Sequence, residues 1–219
     1  MKLTIYNGSP RGKKSNTDKL LSYFIKGFCS LEGNSATVHY ITDKKNWEKQ
    51  AEDFANEELI IIAMPLYCHA MPGIVKEFIE ALPDDNRNNN RKIGFIVQSG
   101  FEESFQSSFL NAYLDTIPTY FNCTSLGTVI KGGVEALNAL PEFMVKKVSD
   151  NFEKLGKGLA MDGVFNKKVI AKLAKPYKYS KLELFFFRIL SSKFANGYWD
   201  KQLKENECFD QCYNKPYIN

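Results

Sequence analysis

The chain has 219 residues, of which 44% are hydrophobic and 25% are charged. This composition excludes a disordered chain, and the length suits one large domain or a domain with an extension. The net charge of +4 is too small to indicate a nucleic-acid-binding protein. The longest apolar runs, 59–64 and 182–190, are far shorter than the roughly 20 residues of a membrane span, so no stable membrane insertion is expected.

The cysteines and the N terminus predict a cytoplasmic protein. The chain has five cysteines, and no two of them form a Cys-x-x-Cys pair, so we expect reduced thiols. The first methionine leads directly into a strand-like run at 2–6, without the apolar segment of a signal peptide. Cys208 and Cys212 have no further cysteine or histidine nearby, and no metal site is expected.

Apolar patterning predicts five strands that alternate with helices. The predicted strands are residues 2–6, 36–41, 58–63, 92–98 and 123–130. Predicted helices lie at 15–28 and 46–56, then around Ile74, Val75, Phe78, Ile79 and Leu82, around Phe105, Phe109, Ala112, Tyr113 and Ile117, and around Met144, Val148, Phe152, Leu155 and Leu159. A polar surface loop is expected at 84–91. This alternation is typical of an α/β fold with a doubly wound parallel sheet, for which we expect the strand order 2-1-3-4-5.

Three loops at the carboxyl ends of predicted strands have the composition of a ligand site. They cover residues 7–17, 64–73 and 98–103, after the first, third and fourth strands. Ligands of open parallel sheets bind beyond the carboxyl ends of the strands, at the point where the strand order reverses. In the order 2-1-3-4-5 these three strands are neighbours, so the three loops are expected to border one cleft.

The first loop reads "GSPRGKKSNT" and predicts a phosphate cradle. Gly8 and Gly12 would let the backbone bend and approach a ligand, and the N-terminal end of the next helix would add free N–H groups. The donor side chains are Ser9, Arg11, Ser15, Asn16 and Thr17. Ser15 and Asp18 resemble a capping box. The spacing fits neither a Walker A loop nor G-x-G-x-x-G. A solvated turn with an ordinary helix cap is the alternative.

The second loop, "MPLYCHAMPG", is rigid and largely apolar. Leu66, Tyr67, His69 and Met71 suit the edge or face of a flat ring, although Leu66 and Met71 would also suit simple core packing.

The third loop, "QSGFEE", offers a hydrogen-bonding side chain, a point of close backbone approach and a stacking group in Ser99, Gly100 and Phe101. An ordinary capped turn explains this composition equally well.

Taken together, "GSPRGKKSNT", "PLYCHAMPGIVKEFIE" and "VQSGFEE" resemble the NADPH-dependent FMN reductase and flavodoxin-like NAD(P)H oxidoreductase family, over roughly residues 1–160. The resemblance implies a flavodoxin-like fold with FMN as the prosthetic group. It implies that the FMN phosphate is held by Ser9, Arg11, Ser15, Asn16 and Thr17. It also implies that the isoalloxazine ring is bordered by Pro65, Leu66, Tyr67, Cys68 and His69, and on its other side by Ser99, Gly100 and Phe101.

The resemblance implies an FMN-dependent NAD(P)H oxidoreductase. Two electrons would pass by a ping-pong mechanism to a small acceptor such as a quinone, a free flavin, a nitro compound or an azo compound. No side chain is required as a catalytic acid or base, because the cofactor carries the chemistry. Tyr67 or His69 could donate a proton near the ring, or simply pack there. The sequence leaves NADH and NADPH equally open.

Two other classes of function fit less well. A flavodoxin-like electron carrier without nicotinamide-dependent turnover is the main alternative, but flavodoxins are usually acidic, whereas this first loop carries Arg11, Lys13 and Lys14. A serine hydrolase is not indicated, because no G-x-S-x-G motif is present. A cysteine phosphatase would need a thiol in the loop at 7–17, which has none.

The C-terminal part has a different character. We expect a flavodoxin-like FMN-binding domain at 1–165 and a basic helical extension at 166–219. Residues 166–204 contain 10 Lys and Arg against 2 Asp and Glu, a net of +8, and include an apolar block from Phe185 to Leu190. Three roles stay open for it: packing on the core or on the partner of a homodimer, lying on an anionic membrane surface, and covering an anionic ligand. Members of the family are often dimers, which favours the first.

Overall fold

Five parallel strands form the centre of the structure, a computed structural model that describes residues 1–83, 90–186, 196–215 and 217. The strands are β1 (Lys2–Asn7), β2 (Ser35–Tyr40), β3 (Leu59–Pro65), β4 (Lys92–Gln98) and β5 (Thr124–Lys131). They pair in the order β2-β1-β3-β4-β5. The predicted fold class, strand order and parallel direction are therefore confirmed. Every residue of β3 is buried, as expected for a central strand covered on both faces.

Helices cover both faces of the sheet. In the first of two compact units, Met1–Lys178, they are α1 (Asn16–Phe28), α2 (Trp47–Asn56), α3 (Gly73–Ala81), α4 (Ser108–Leu114), α5 (Ile117–Tyr120), α6 (Glu142–Asp162) and α7 (Lys167–Leu173). One hydrophobic core lies beneath α1, α6 and α7, and includes Phe24, Phe152 and Leu173. The other lies beneath α2 to α5 and includes Phe54, Phe78 and Leu114.

The predicted buried face of the helix after β4 is wrong. Phe109 and Tyr113 are exposed, and the buried positions of α4 are Leu110 and Leu114. Residues 104–107 form a 3₁₀ turn before α4. Because a 3₁₀ turn has three residues rather than 3.6, positions spaced from Phe105 as in an α-helix do not fall on the buried face of α4. In α6 the buried stripe likewise begins at Val145 rather than at the exposed Met144.

Arg91 is a second correction. The sequence placed it in a polar surface loop, but it is 1% exposed, and its guanidinium donates a hydrogen bond to the carbonyl oxygen of Phe54 at 2.6 Å. The guanidinium also lies over the Phe54 ring, 4.8 Å from its centre. Arg91 therefore anchors the start of β4 against α2. The rest of the predicted loop, 84–89, lies outside the described residues.

The second compact unit, Tyr179–Asn219, contains helices joined by turns in its described parts. Residues 181–186 are helical and begin with a reciprocal cap, in which Ser180 and Glu183 each accept a hydrogen bond from the other's backbone N–H. A further helix, α8, spans Asn196–Glu205. Phe185 and Phe186 are exposed, and the remainder of the predicted apolar block, 187–190, lies outside the described residues.

The structure gives a boundary for the C-terminal extension and describes its helices. The first compact unit runs to Lys178 and therefore contains α7, which the sequence analysis had placed in the extension. Among the residues that the structure describes, no helix is both long enough and apolar enough to cross a membrane.

Helices α1 and α6 approach each other so closely that glycine is required on both. A Cβ atom on Gly27 would lie 1.9 Å from the carbonyl oxygen of Glu153, and one on Gly156 would lie 2.0 Å from the carbonyl oxygen of Phe24. Both obstructing atoms belong to helical backbone, which cannot move aside as a flexible side chain could. The position of α1, and with it the loop that begins α1, therefore depends on these two glycines.

We predict that Gly27→Ala lowers the free energy of unfolding by about 1–3 kcal/mol, because the added methyl group forces the two helices apart. Gly158→Ala is the matched control on α6, since its Cβ would meet only Asn166 at an ordinary 3.6 Å. That control should leave the stability unchanged or raise it by up to about 1 kcal/mol through helix propensity. Urea denaturation of both variants measures the difference, and a Gly27→Ala protein as stable as the control would contradict this account.

Candidate functional site

The three predicted loops meet in one cavity at the carboxyl edge of the sheet. The cavity is lined by Ser9, Arg11, Ser15, Asn16, Pro65, Leu66, Tyr67, Gln98, Ser99, Gly100 and Glu135. Most of the residues predicted from the sequence are thus brought together. The four that do not line this cavity are Thr17, Cys68, His69 and Phe101. The structure adds Gln98 and Glu135, which the sequence analysis had not assigned to the site.

Ser15 organises the first loop as the N-cap of α1. Its hydroxyl accepts the backbone N–H of Asp18 at 3.0 Å and donates to the carbonyl oxygen of Gly12 at 2.6 Å. The other half of the predicted capping box is wrong, because the Asp18 carboxylate accepts instead from the Asn7 amide at 3.2 Å and the Tyr40 hydroxyl at 2.7 Å. Burial, together with the bond to Asp18, raises the pKa of Tyr40 to about 12.

The first loop presents a positive and donor-rich surface to the cavity. Ser9 is buried, and its backbone N–H donates to the Asn7 side chain at 3.0 Å, which fixes the turn. Gly12 has φ +56°, a left-handed conformation that favours glycine. The first N–H groups of α1 have no partner within the helix and carry its positive dipole end. With Arg11 and Asn16 they form a donor set suited to a phosphate.

Two residues of the first loop make packing or hydrogen-bond contacts within the protein. A Cβ on Gly8 would lie 2.3 Å from the side chain of Val75, so this glycine serves the packing of β1 against α3 rather than the approach of a ligand. Thr17 is buried, and its hydroxyl accepts a hydrogen bond from the Gln98 amide at 3.2 Å. Thr17 therefore ties the first loop to the end of β4 from beneath the cavity.

The second loop contains a tight hairpin with unusual backbone angles. Tyr67 and Ala70 exchange two backbone hydrogen bonds of 2.9 Å, and the residues between them, Cys68 and His69, have φ of 50° and 61°. Two consecutive left-handed residues define a type I′ turn, which normally contains glycine, asparagine or aspartate. Non-glycine residues in such regions cost on the order of 1–3 kcal/mol each. Strain of this kind is concentrated at functional sites, so the hairpin is consistent with a binding role.

The second loop contacts the third. Nδ1 of His69 lies 3.0 Å from the carbonyl oxygen of Gln106, so Nδ1 carries the proton that makes this hydrogen bond. The rings of His69 and Phe101 are almost parallel, at 5°, with centres 6.3 Å apart. Both side chains are exposed and lie outside the lining of the cavity, whereas the exposed Tyr67 is part of that lining. The three form an aromatic border at the ends of β3 and β4, while the phosphate donors follow β1.

The loop between β5 and α6 supplies a wall that the sequence analysis did not predict. Three side-chain hydrogen bonds join it to the first loop and α1. Asn16 donates to the carbonyl oxygen of Glu135 at 3.3 Å and Lys19 to that of Leu137 at 3.2 Å, while Asn138 of the β5–α6 loop donates to the carbonyl oxygen of Lys14 at 3.4 Å. In the sequence, the glycine pair Gly132 and Gly133 after the fifth strand was the one sign that this loop approaches its neighbours closely.

The same β5–α6 loop is fixed to the third loop. The backbone N–H of Gly133 donates to the carbonyl oxygen of Phe101 at 2.8 Å, and that of Val134 donates to Ser99 at 3.1 Å. A Cβ on Gly132 would lie 2.3 Å from the carbonyl oxygen of Phe101, so the two backbones touch. Next to this contact, burial lowers the pKa of the Lys131 ammonium group, which donates to the carbonyl oxygen of Gly132.

The donor chemistry of the cavity fits FMN. Hydroxyl, amide and guanidinium donors at the first loop match a phosphate, and the apolar Leu66 and the aromatic Tyr67 match the edge of a flat ring. The two sets lie at the ends of adjacent strands, as the two ends of one ligand would require. The described residues contain no group of three side chains that could hold a metal ion.

Comparison with known proteins agrees with this geometry. The family model of NADPH-dependent FMN reductases matches residues 1–127. The chain belongs to this family. The family resemblance read from the three loops is therefore confirmed, and with it the expectation of an NAD(P)H-dependent FMN oxidoreductase. No curated protein matches the chain in sequence.

Solved structures of low sequence identity share the fold of this family member. An azoreductase from Bacillus anthracis str. Sterne is 12% identical, with a TM-score of 0.55, over 72% of this chain and 99% of that one. An NAD(P)H:quinone oxidoreductase from Methanothermobacter marburgensis is 12% identical, with a TM-score of 0.59, over 73% of this chain and 96% of that one. An FMN-dependent NADH-azoreductase from Bacillus anthracis str. Ames Ancestor was solved in complex with FMN. It is 14% identical, with a TM-score of 0.55, over 73% of this chain and 100% of that one.

We predict that the left-handed conformation of Cys68 controls the stability of the hairpin. Cys68 is exposed, so a substitution there changes the backbone preference rather than core packing. Cys68→Val should lower the free energy of unfolding by about 1–2 kcal/mol, because a β-branched residue is strongly disfavoured at positive φ. Cys68→Asn should change it little, because asparagine tolerates this region. Equal stability of the two variants in urea denaturation would contradict the assignment of the turn.

Proposed function

We propose that this FMN reductase family member uses bound FMN to pass two electrons from NADH or NADPH to a small acceptor, by a ping-pong mechanism. The observation that carries the proposal is the convergence of phosphate donors and a ring border on one cavity at the carboxyl edge of the sheet. Two structural neighbours, an FMN-dependent NADH-azoreductase in complex with FMN and an NAD(P)H:quinone oxidoreductase, favour azo compounds and quinones as acceptors, beside flavins and nitro compounds.

In this mechanism the protein binds FMN and orients it. Ser9, Arg11 and Asn16 would donate to the phosphate at the N-terminal end of α1. Ser15, whose hydroxyl proton is bonded to the carbonyl oxygen of Gly12, would help to hold the phosphate by capping that helix end. FMN, when bound, supplies the redox chemistry that no side chain of the cavity provides. Pro65, Leu66, Tyr67, Ser99 and Gly100 would border the ring, with Cys68, His69 and Phe101 beside them.

The open side of the cavity supports the ping-pong order. Tyr67 is 44% exposed and Phe101 is 54% exposed, so the border that would face the ring is reached directly from solvent. A nicotinamide and an electron acceptor would then use the same opening in turn, and the first would have to leave before the second entered. His69 lies at this opening with Nδ1 bonded to Gln106, which leaves Nε2 as the free ring nitrogen.

Anaerobic absorption spectroscopy tests the function. The protein loaded with FMN should show flavin bands that bleach on addition of NADPH or NADH and return on addition of a quinone. Initial rates at several acceptor concentrations should give parallel double-reciprocal lines. Bound flavin that neither nicotinamide bleaches would instead indicate an electron carrier of the flavodoxin type. Failure of the folded protein to bind FMN would overturn the proposal.

We also propose that the protein is a cytoplasmic homodimer. All five cysteines are free thiols, which supports a reducing compartment. On α4, Phe109 is 77% exposed and Tyr113 is 48% exposed, and together with His69 and Met71 they line an apolar groove. Exposed apolar surface of this kind marks a contact site, and a second copy of the chain would cover it.

Light scattering tests the oligomeric state. We expect a particle of twice the 25.0 kDa chain mass, and Phe109→Glu should shift it toward the monomer by placing an unpaired charge in the interface. Phe143→Glu is the control, because Phe143 is equally exposed but lies at the start of α6, on the other face of the sheet. A monomeric wild-type protein would contradict the proposal.

A further inference from the structure

The carboxylate of Glu135 occupies an unusual position in the cavity. It belongs to the β5–α6 loop, beyond residues 1–127 that match the family model. Its Oε2 atom would lie only 3.3 Å from a Cβ placed on Gly100, so the carboxylate points at the third loop. Among the residues that the structure describes, this carboxylate has neither a hydrogen-bond donor nor a cation as partner. The loop therefore presents an acceptor that the protein itself does not use.

The backbone holds this acceptor in place. The Glu135 carbonyl oxygen accepts from Asn16, one of the phosphate donors, while the next residue toward β5, Val134, donates to Ser99 of the third loop. Val134 and Leu137 are buried in the core beneath α1 and α6, which anchors the loop on both sides of Glu135. These anchors fix the backbone position of Glu135 at the edge of the cavity that its side chain lines.

Glu135 contacts residues from both ends of the proposed ligand site, because its backbone bonds to Asn16 and its carboxylate lies beside Gly100. The phosphate donors lie at the first loop, on the side of Asn16, and the ring border lies at the third loop, on the side of Gly100. The part of FMN that joins its phosphate to its ring is the ribityl chain, which carries three hydroxyl groups. A hydroxyl is a donor and a carboxylate is an acceptor, so the two are complementary.

We infer that Glu135 is a cofactor-binding residue whose carboxylate accepts hydrogen bonds from the ribityl hydroxyls of FMN. This inference rests on the proposed function. The negative charge of Glu135 repels the FMN phosphate, which weakens binding. Glu135 therefore favours FMN only if the ribityl hydroxyls, which lie closer to it than the phosphate does, donate hydrogen bonds to its carboxylate. Hydrogen bonds that involve a charged partner are stronger than neutral ones, which lets them exceed a partly screened repulsion.

Three flavins separate the possible contributions of Glu135. FMN carries the ring, the ribityl chain and the phosphate; riboflavin lacks the phosphate; lumiflavin has only the ring with a methyl group. Dissociation constants are measured by quenching of flavin fluorescence, on apoprotein from wild type, Glu135→Ala and Glu135→Gln. Glu32→Gln is the charge-matched control, because Glu32 is exposed and precedes β2 at the opposite edge of the sheet. Arg11→Ala provides the reference for losing a phosphate contact.

Glu135→Ala should weaken riboflavin by roughly 10- to 100-fold and FMN by somewhat less, because the variant also removes the repulsion of the FMN phosphate, and it should leave lumiflavin unchanged. Glu135→Gln, which keeps an acceptor oxygen, should weaken both by less. Glu32→Gln should bind all three flavins as wild type does. Arg11→Ala should weaken FMN but not riboflavin, which shows that the assay distinguishes the two parts of the ligand.

Several results would overturn the inference. If wild type binds FMN and Glu135→Ala binds it equally well, Glu135 is not a ligand and the proposed function is untouched. If Glu135→Gln tightens FMN but not riboflavin, the carboxylate acts only by repelling the phosphate. If lumiflavin weakens as much as riboflavin, the effect is on the ring site. If wild type binds no flavin, both the inference and the proposed function fail.

Discussion

The position of β3 between β1 and β4 is the constraint on which the rest of the structure depends. Backbone hydrogen bonds continue past the strand ends, from Gly8 to Ala63 at 2.7 Å and from Leu66 to Gln98 at 2.8 Å, so the first residues of each loop are set by the sheet. Loops that begin from adjacent strands in register cannot separate. A rigid scaffold of this kind is what allows exposed loop residues to form a site with defined geometry.

Packing beneath the site fixes the positions of the loops beyond the strand ends. Gly27 and Gly156 set the distance between α1 and α6, and α1 begins at the phosphate donors. The β5–α6 loop then connects the first and third loops through backbone carbonyl groups rather than through side chains alone. The hairpin at Cys68 and His69 holds two consecutive residues in an unfavourable conformation, and its two flanking hydrogen bonds stabilise it.

Sequence patterns predicted the features that depend on local chemistry or on strand order. The continuous apolar run of β3, the alternation of strands and helices, and the cap at Ser15 each have a short-range physical cause, and all three were correct. The convergence of three loops followed from the strand order alone, because parallel strands expose their carboxyl ends on one edge.

The features that were missed depend on tertiary contacts. The phase of α4 shifted because a 3₁₀ turn preceded it, and Arg91 was buried because the Phe54 ring and carbonyl group lie above it. Gly8 was assigned to a ligand, although its role is set by Val75, a residue 67 positions later in the chain. Glu135 is held at the site by a hydrogen bond from Asn16, a residue 119 positions away, which no local pattern reports.

A crystal structure of the protein grown with FMN would show whether the carboxyl edge of β1, β3 and β4 is the flavin site. We expect phosphate oxygens within about 2.7–3.2 Å of donors from Ser9, Arg11 or Asn16. We also expect the ring at the border formed by Tyr67 and Gly100. FMN bound in the opposite direction, or in another groove such as the one beside Trp47 on α2, would contradict this assignment of the site.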